Sequence, residues 1–270
     1  MEYSRDTLKY SFGQIAERYD EIRPPYPPDI ITTALRRVAK SAPLNILEIG
    51  CGTGRATRMF AERGHHVLAI DISPELVAVA ARQLADLPNV RLEVCAFEDL
   101  AVPDGAFDLV ISAQAFHWID ATTGLAQVYR LLAPGGAVAL FWNFLHYDST
   151  PILRQLRNTC VARVPLFAGW PDAGTARLLA FANQWRASVG AVPGLDLVFE
   201  TIVPSLRSYS HEQFLTLLST YSWFLTQPET VRESLMADLR AQITSASEPL
   251  LVPLRTLLIS AVKPPIPQSE

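Results

Sequence analysis

A chain of 270 residues with 49% apolar side chains is long enough for one large α/β domain or a core with a lid. Its net charge of −4, with no basic run, argues against a surface that neutralises many phosphates, so nucleic acid is not the expected partner. No apolar stretch approaches the roughly 18 residues needed to span a bilayer, the first residues are polar with no signal-peptide core, and the three cysteines are scattered; together these predict a cytoplasmic protein with no disulfide framework and no membrane partner.

In chain order, residues 5–21 carry Phe12, Ile15, Ala16 and Tyr19 along one helical face. The run Arg23-Pro24-Pro25-Tyr26-Pro27-Pro28 then breaks the helix. A second helix is predicted from Asp29 to Lys40, with Ile30, Ile31, Ala34, Leu35 and Val38 at helical spacing. From Leu44 to Trp142 strands alternate with helices. The strands are expected near 45–49, 66–70, 90–94, 108–112 and 137–142, the helices near 54–63, 74–86 and 121–132, and Pro134-Gly135-Gly136 as the turn before the fifth strand. This rhythm implies βαβ units and a mostly parallel sheet. After Asn143 it changes: helices are predicted over 150–164, 174–188, 210–224 and 228–245, strands over 195–203 and 256–262, and a disordered tail over 263–270. The expected organisation is an N-terminal helical cover (1–43), an α/β core (44–145), a helical lid insertion (146–194), and C-terminal strands and helices that complete sheet and lid (195–262).

The most informative segment is Ile46-Leu47-Glu48-Ile49-Gly50-Cys51-Gly52-Thr53-Gly54. An apolar strand runs into three alternate glycines and then a helix. Glycine there permits a sharp turn and a close ligand approach, and a helix start offers N–H groups to polar ligand atoms. The dinucleotide fingerprint needs a third glycine where Arg55 stands, and no Gly-Lys-Ser/Thr ending follows, so neither that fingerprint nor a P-loop is met. The next apolar run ends in Asp71, 17 residues after Gly54, at the carboxyl end of the neighbouring strand. A carboxylate there can accept both ribose hydroxyls of an adenosine. It can also cap the helix that begins near Pro74, although Ser73 suits that role better.

The glycine run resembles the first motif of class I S-adenosylmethionine (SAM) methyltransferases, E-x-G-x-G-x-G. Four further segments extend the likeness. They are Phe97-Glu98-Asp99-Leu100; Phe107 to Trp118; Tyr129 to Gly136; and Phe12 to Pro27. Within the class, the Arg23-Pro24-Pro25-Tyr26-Pro27 segment and the His117-Trp118 pair resemble the trans-aconitate methyltransferase group. An aspartate common in relatives two positions before Glu98 is Ala96 here, and the Asn/Asp-Pro-Pro-aromatic motif of DNA N-methyltransferases is absent. The resemblance implies an α/β, Rossmann-like, seven-stranded, mostly parallel sheet with helices on both faces and a helical lid. It implies SAM as cofactor, held by Tyr19, Arg23, Glu48, Gly50, Gly52, Gly54, Asp71, Ile72, Phe97, Glu98, Ala113 and Gln114. It places Phe12, Trp118, His146, Tyr147 and Trp223 at a substrate pocket.

Methyl transfer needs alignment of an acceptor with the sulfonium methyl and exclusion of water. A general base is needed only where the acceptor is protonated. His117 is the candidate base, because imidazole titrates near neutral pH; it reads equally as a histidine packed on Trp118. His146 and Tyr147 are second candidates. Arg23 is expected to pair with a carboxylate of the cofactor or of an acidic substrate. No metal is expected, since histidines and cysteines lack ligand spacing. The expectation is O-methylation of a small-molecule carboxylate or hydroxyl. The rivals are a SAM-binding enzyme of another reaction, such as a cyclisation or pericyclic step, and a non-catalytic SAM-binding protein. A nicotinamide-dependent oxidoreductase is the third rival.

Overall fold

A computed structural model describes residues 21–266. Phe12, Tyr19 and the helix predicted over 5–21 lie outside them, apart from its last residue, Glu21, which is helical. The elements, in chain order, are α1 (Pro28–Leu35), β1 (Asn45–Ile49), α2 (Arg55–Ala61), β2 (His66–Asp71), α3 (Pro74–Gln83), β3 (Val90–Val94), β4 (Phe107–Ala113), α4 (Ala121–Leu131) and β5 (Leu132–Leu145). They continue with α5 (Pro151–Arg163), α6 (Thr175–Gly190), β6 (Asp196–Tyr209), α7 (His211–Ser219), α8 (Ser222–Leu225), α9 (Glu229–Ile243) and β7 (Leu250–Val262).

The seven strands form one sheet in the order β3-β2-β1-β4-β5-β7-β6. β1 pairs in parallel with β2 and β4, β2 with β3, and β4 with β5. β7 runs the other way. Gly135 donates its N–H to Lys263 O and His146 donates to Pro253 O, both at 2.8 Å, so partner numbers fall as β5 advances. The architecture is therefore the α/β, Rossmann-like, mostly parallel sheet with surrounding helices. All seven residues of β4 are buried, as a central parallel strand requires.

Local chemistry fixes the element starts. Ser73 accepts the Leu76 N–H and Pro74 opens α3. Asp120 accepts the N–H groups of Thr122 and Thr123 at the head of α4. Ser210 and Gln213 form a capping box on α7. Pro28 opens α1, but the helix ends at Leu35 instead of Lys40. Arg37 and Val38 donate back three residues to Ala34 and Leu35, tightening the chain into a turn that still buries Val38.

β5, β6 and β7 extend several residues beyond their predicted ranges. β5 begins at Leu132, so Pro134-Gly135-Gly136 is an irregular step inside a strand, not the turn before it. There the register with β4 jumps from Phe107↔Leu132 to Leu109↔Ala137. β6 continues to Tyr209 and β7 begins at Leu250. The helix predicted over 210–224 is two, broken at Thr220 and Tyr221.

The chain divides into two compact units. Among the described residues, the first contains 21–24, 143–182 and 204–255; the second contains 25–142, 183–203 and 256–266. The second has a core of strand side chains such as Ile46, Ala69, Leu109, Ile111 and Phe141, covered by Ile30, Ile31 and Ala34 of α1 and Phe60 of α2. The first has its own core from Leu153, Leu156 and Cys160 of α5, Phe214 and Leu218 of α7, Trp223 of α8, and Leu235, Leu239 and Ile243 of α9. Among the described residues, no helix is long and apolar enough to cross a membrane.

A Cβ at Gly136 would lie 2.8 Å from the carbonyl oxygens of both Ala133 and Asp108. Gly136→Ala is therefore expected to lower unfolding stability by about 1–3 kcal/mol, read as a lower urea midpoint.

Candidate functional site: the glycine loop and the β4–β5 end

The loop after β1 is held from below by β2. Gly50 and Cys51 both donate N–H to Ile70 O at 2.9 Å, and Gly54 closes the turn onto Cys51 O at 2.9 Å. Gly50 has φ +70°, and a Cβ there would stand 2.3 Å from the Ala115 Cβ. Gly52 has φ +57°, and a Cβ there would meet nothing within 4 Å. The first glycine thus lets the loop approach the chain after β4. The second faces open space.

Asp71 lies at the carboxyl end of β2 and is 9% exposed. Its Oδ2 accepts the Gly52 N–H at 2.8 Å and its Oδ1 accepts the Ser73 N–H at 2.9 Å. Burial pushes this carboxyl up, against the pull of the Ser73, Gly52 and Ile72 N–H groups. The Gly52 and Ser73 bonds occupy two of its four lone-pair directions. Asp71 therefore does not cap α3, which Ser73 caps.

Glu48 sits beneath the loop, 1% exposed, and accepts the Thr57 hydroxyl at 2.6 Å. Burial first, then the nearby Asp71 charge, push its pKa up to about 8 against the Thr57 hydrogen bond. It supports the loop as a neutral acid and is a covered side chain, not a ligand-facing carboxylate. Cys51 is also buried, and burial raises its thiol.

Phe97 is 4% exposed and its carbonyl accepts the Gln127 side-chain amide at 2.7 Å, while Glu98 is exposed in the same short turn. Ile72 is half-buried beside Asp71. Ala113 ends β4. Gln114 follows with φ +62°, the one non-glycine residue of positive φ among the described residues, and donates its N–H to Phe141 O at 2.9 Å. Strain of this kind gathers at binding sites. Next come Phe116-His117-Trp118 in a short turn. The His117 and Trp118 rings lean together, 4.7 Å between centroids at 41°. The buried Trp142 of β5 donates its indole N–H to His117 Nδ1 at 3.2 Å.

That bond bears on the predicted base. A neutral imidazole that accepts this N–H at Nδ1 carries its own proton on Nε2. A neutral ring so held would meet a ligand as a donor at Nε2.

The remaining predicted residues belong to the other unit. Arg23 donates from Nε to Thr220 Oγ1 (3.0 Å) and from Nη2 to Thr220 O (2.8 Å), and lies 3.9 Å over the Tyr221 ring. The guanidinium edge expected to grip a ligand carboxylate therefore holds Thr220. His146 Nε2 is met by Arg255 Nη2, and burial and that charge push the imidazole down. Tyr147 and Trp223 are 2% and 1% exposed and pack on Phe167 in the core of that unit.

An open hollow of about 320 Å³ lies at the opposite, amino ends of β1 and β2, lined by Asn45, His66, Asn89 and Arg91. Ligands of open α/β sheets bind beyond the carboxyl ends, so the glycine loop is the candidate site. Sequence reasoning passed over Trp142 and Gln127. Trp142 carried one signal: a buried indole N–H needs an acceptor.

Fold and loop together define a Rossmann-like adenosine-type site. Comparison with known proteins makes the class specific: residues 46–136 match a methyltransferase domain family. An uncharacterised methyltransferase of Mycobacterium tuberculosis is 36% identical over 143 residues, 53% of this chain and 56% of that protein. A malonyl-[acyl-carrier protein] O-methyltransferase of Halorhodospira halophila is 32% identical over 186 residues, 65% of this chain and 61% of that one. The matches thus span little more than half the length of these relatives. In fold, 96% of the chain superposes on 60% of a Haemonchus contortus phosphoethanolamine N-methyltransferase solved with SAM, with a TM-score of 0.53 at 17% identity. The match over residues 46–136 agrees with the methyltransferase resemblance of the sequence, which implies SAM as cofactor. The residues fit that group: the Cβ-free face of Gly52 is clear and Asp71 stands beside it.

The pH dependence of stability tests the buried acid. A carboxyl raised from the usual range to about 8 stabilises the fold fully below pH ~4, and that contribution is lost as pH rises through 8. Asp172, raised by burial to about 7, acts in the same direction. Between pH 6 and 9 the Glu48→Gln variant should gain about 2–3 kcal/mol relative to the unsubstituted chain in urea unfolding; a gap that stays constant with pH would contradict a neutral Glu48.

Proposed function

We propose that this chain transfers the SAM methyl group to an oxygen of a small molecule, a carboxylate in preference to a hydroxyl. The reading is carried by the open Gly52 face with Asp71 beside it. When bound, the cofactor supplies a methyl group on a cationic sulfur, which departs as a neutral thioether as the acceptor oxygen takes the carbon. Asp71 binds the ribose hydroxyls through its remaining lone pairs. Gly50, Gly52 and Gly54 bring backbone close to the cofactor, and Phe97 and Glu98 border the adenine. Ile72, Ala113 and Gln114 line the rest of its path.

The preference for a carboxylate rests on His117. A hydroxyl acceptor must lose a proton, and a ring that donates at Nε2 does not take it. A carboxylate reacts as it stands and accepts the Nε2–H. Two likenesses support an acidic acceptor: the O-methyltransferase relative acts on a malonyl group, and the Arg23-to-Pro27 segment with His117-Trp118 resembles the trans-aconitate methyltransferase group.

Asp71→Ala should weaken SAM binding by about 1–3 kcal/mol, through lost ribose hydrogen bonds and a loosened Gly52, with unchanged affinity in calorimetry counting against the assignment. With methyl-labelled SAM and a panel of acceptors, label should pass to mono- and dicarboxylates. Because carboxylates ionise near pH ~4, kcat should be flat from pH 6 to 8. Label transfer only to phenols or alcohols, rising with pH, would reverse the preference. Bound but unconsumed SAM with every acceptor would end the methyl-transfer reading.

A further inference from the structure

We propose that Trp142 is a positioning residue: its indole N–H fixes His117 as the Nε2–H tautomer and so decides that the ring faces an acceptor as a donor. The role of His117 toward an acceptor rests on the methyl-transfer reading; the tautomer does not.

Indole nitrogen is a donor only, so the partner atom on His117 must be an acceptor. Trp142 is 1% exposed, which denies its N–H a compensating water. The indole has little freedom to turn away. Its ring packs on Trp185 with centroids 5.5 Å apart at 33°, and Trp185 meets the Phe116 ring edge-on at 5.6 Å. Phe116 is the neighbour of His117 in the same turn and is fully buried. Trp118 leans on the imidazole within that turn. Two consecutive residues of β5 therefore grip the chain after β4: Phe141 by its carbonyl, which receives the Gln114 N–H, and Trp142 by its side chain. The first fixes the strained backbone of Gln114. The second fixes the proton on His117 three residues later. Phenylalanine in place of Trp142 keeps a ring against Trp185 and removes the donor together with one ring of the indole.

The experiment uses the full chain with ¹⁵N-labelled histidine and long-range ¹H–¹⁵N correlation at pH 8. His117 signals are assigned by their loss in His117→Gln. The expected spectrum has a proton-bearing Nε2 and a bare Nδ1. Trp142→Phe should shift it toward a mixture of tautomers, and Trp185→Phe, which leaves the indole donor in place, should not. A proton-bearing Nδ1 in the unsubstituted chain overturns the proposal whether or not any variant folds, and so does a spectrum that Trp142→Phe leaves unchanged. In kinetics with a carboxylate acceptor, Trp142→Phe should lower kcat by about ten- to a hundredfold while KM for SAM holds. Added to His117→Gln, it should cost nothing further; an equal additional loss in that background also overturns the proposal. If no acceptor is methylated, the functional reading fails while the spectra still decide the role of Trp142.

Discussion

One carboxylate ties the site together. Asp71 takes the Gly52 N–H on one oxygen and the Ser73 N–H on the other, joining the loop after β1 to the turn after β2. Ser73 in turn caps α3. The glycine loop is thus anchored twice: backbone to backbone at Ile70 O, and backbone to side chain at Asp71. Nearly full burial raises the energetic cost of the charge, and three N–H donors offset it. The same concentration of unsatisfied lone pairs makes Asp71 suited to diol hydroxyls.

Two acids lie within electrostatic reach of each other here and differ by environment. Glu48 is covered by β1 and α2 with one hydroxyl partner, and its proton stays on to about pH 8. Asp71 has backbone donors instead. Keeping Glu48 neutral limits like-charge repulsion under the loop.

The end of β4 is set by its neighbour. Positive φ at Gln114 costs energy that the Phe141 hydrogen bond and the ring cluster of Phe116, Trp142 and Trp185 counter. The other unit uses its rings differently. Tyr147, Phe167 and Trp223 form an apolar core, and Arg23 braces Thr220 from above Tyr221. The rings at these positions therefore serve packing.

The sequence by itself determined the strand–glycine loop–helix, the placement of Asp71 and the alternation that yields a parallel sheet. These follow from short-range requirements: positive φ at specific residues, capping side chains, and apolar spacing. Only the tertiary structure decided the long reach of β5, β6 and β7, since strand length is set by what a neighbouring strand pairs with. It also decided the partner of Arg23, 197 residues away at Thr220, and the tautomer of His117, 25 residues from Trp142. A buried side chain's chemistry is fixed by whichever donor or acceptor the fold brings within 3 Å or so, and no local pattern records that meeting.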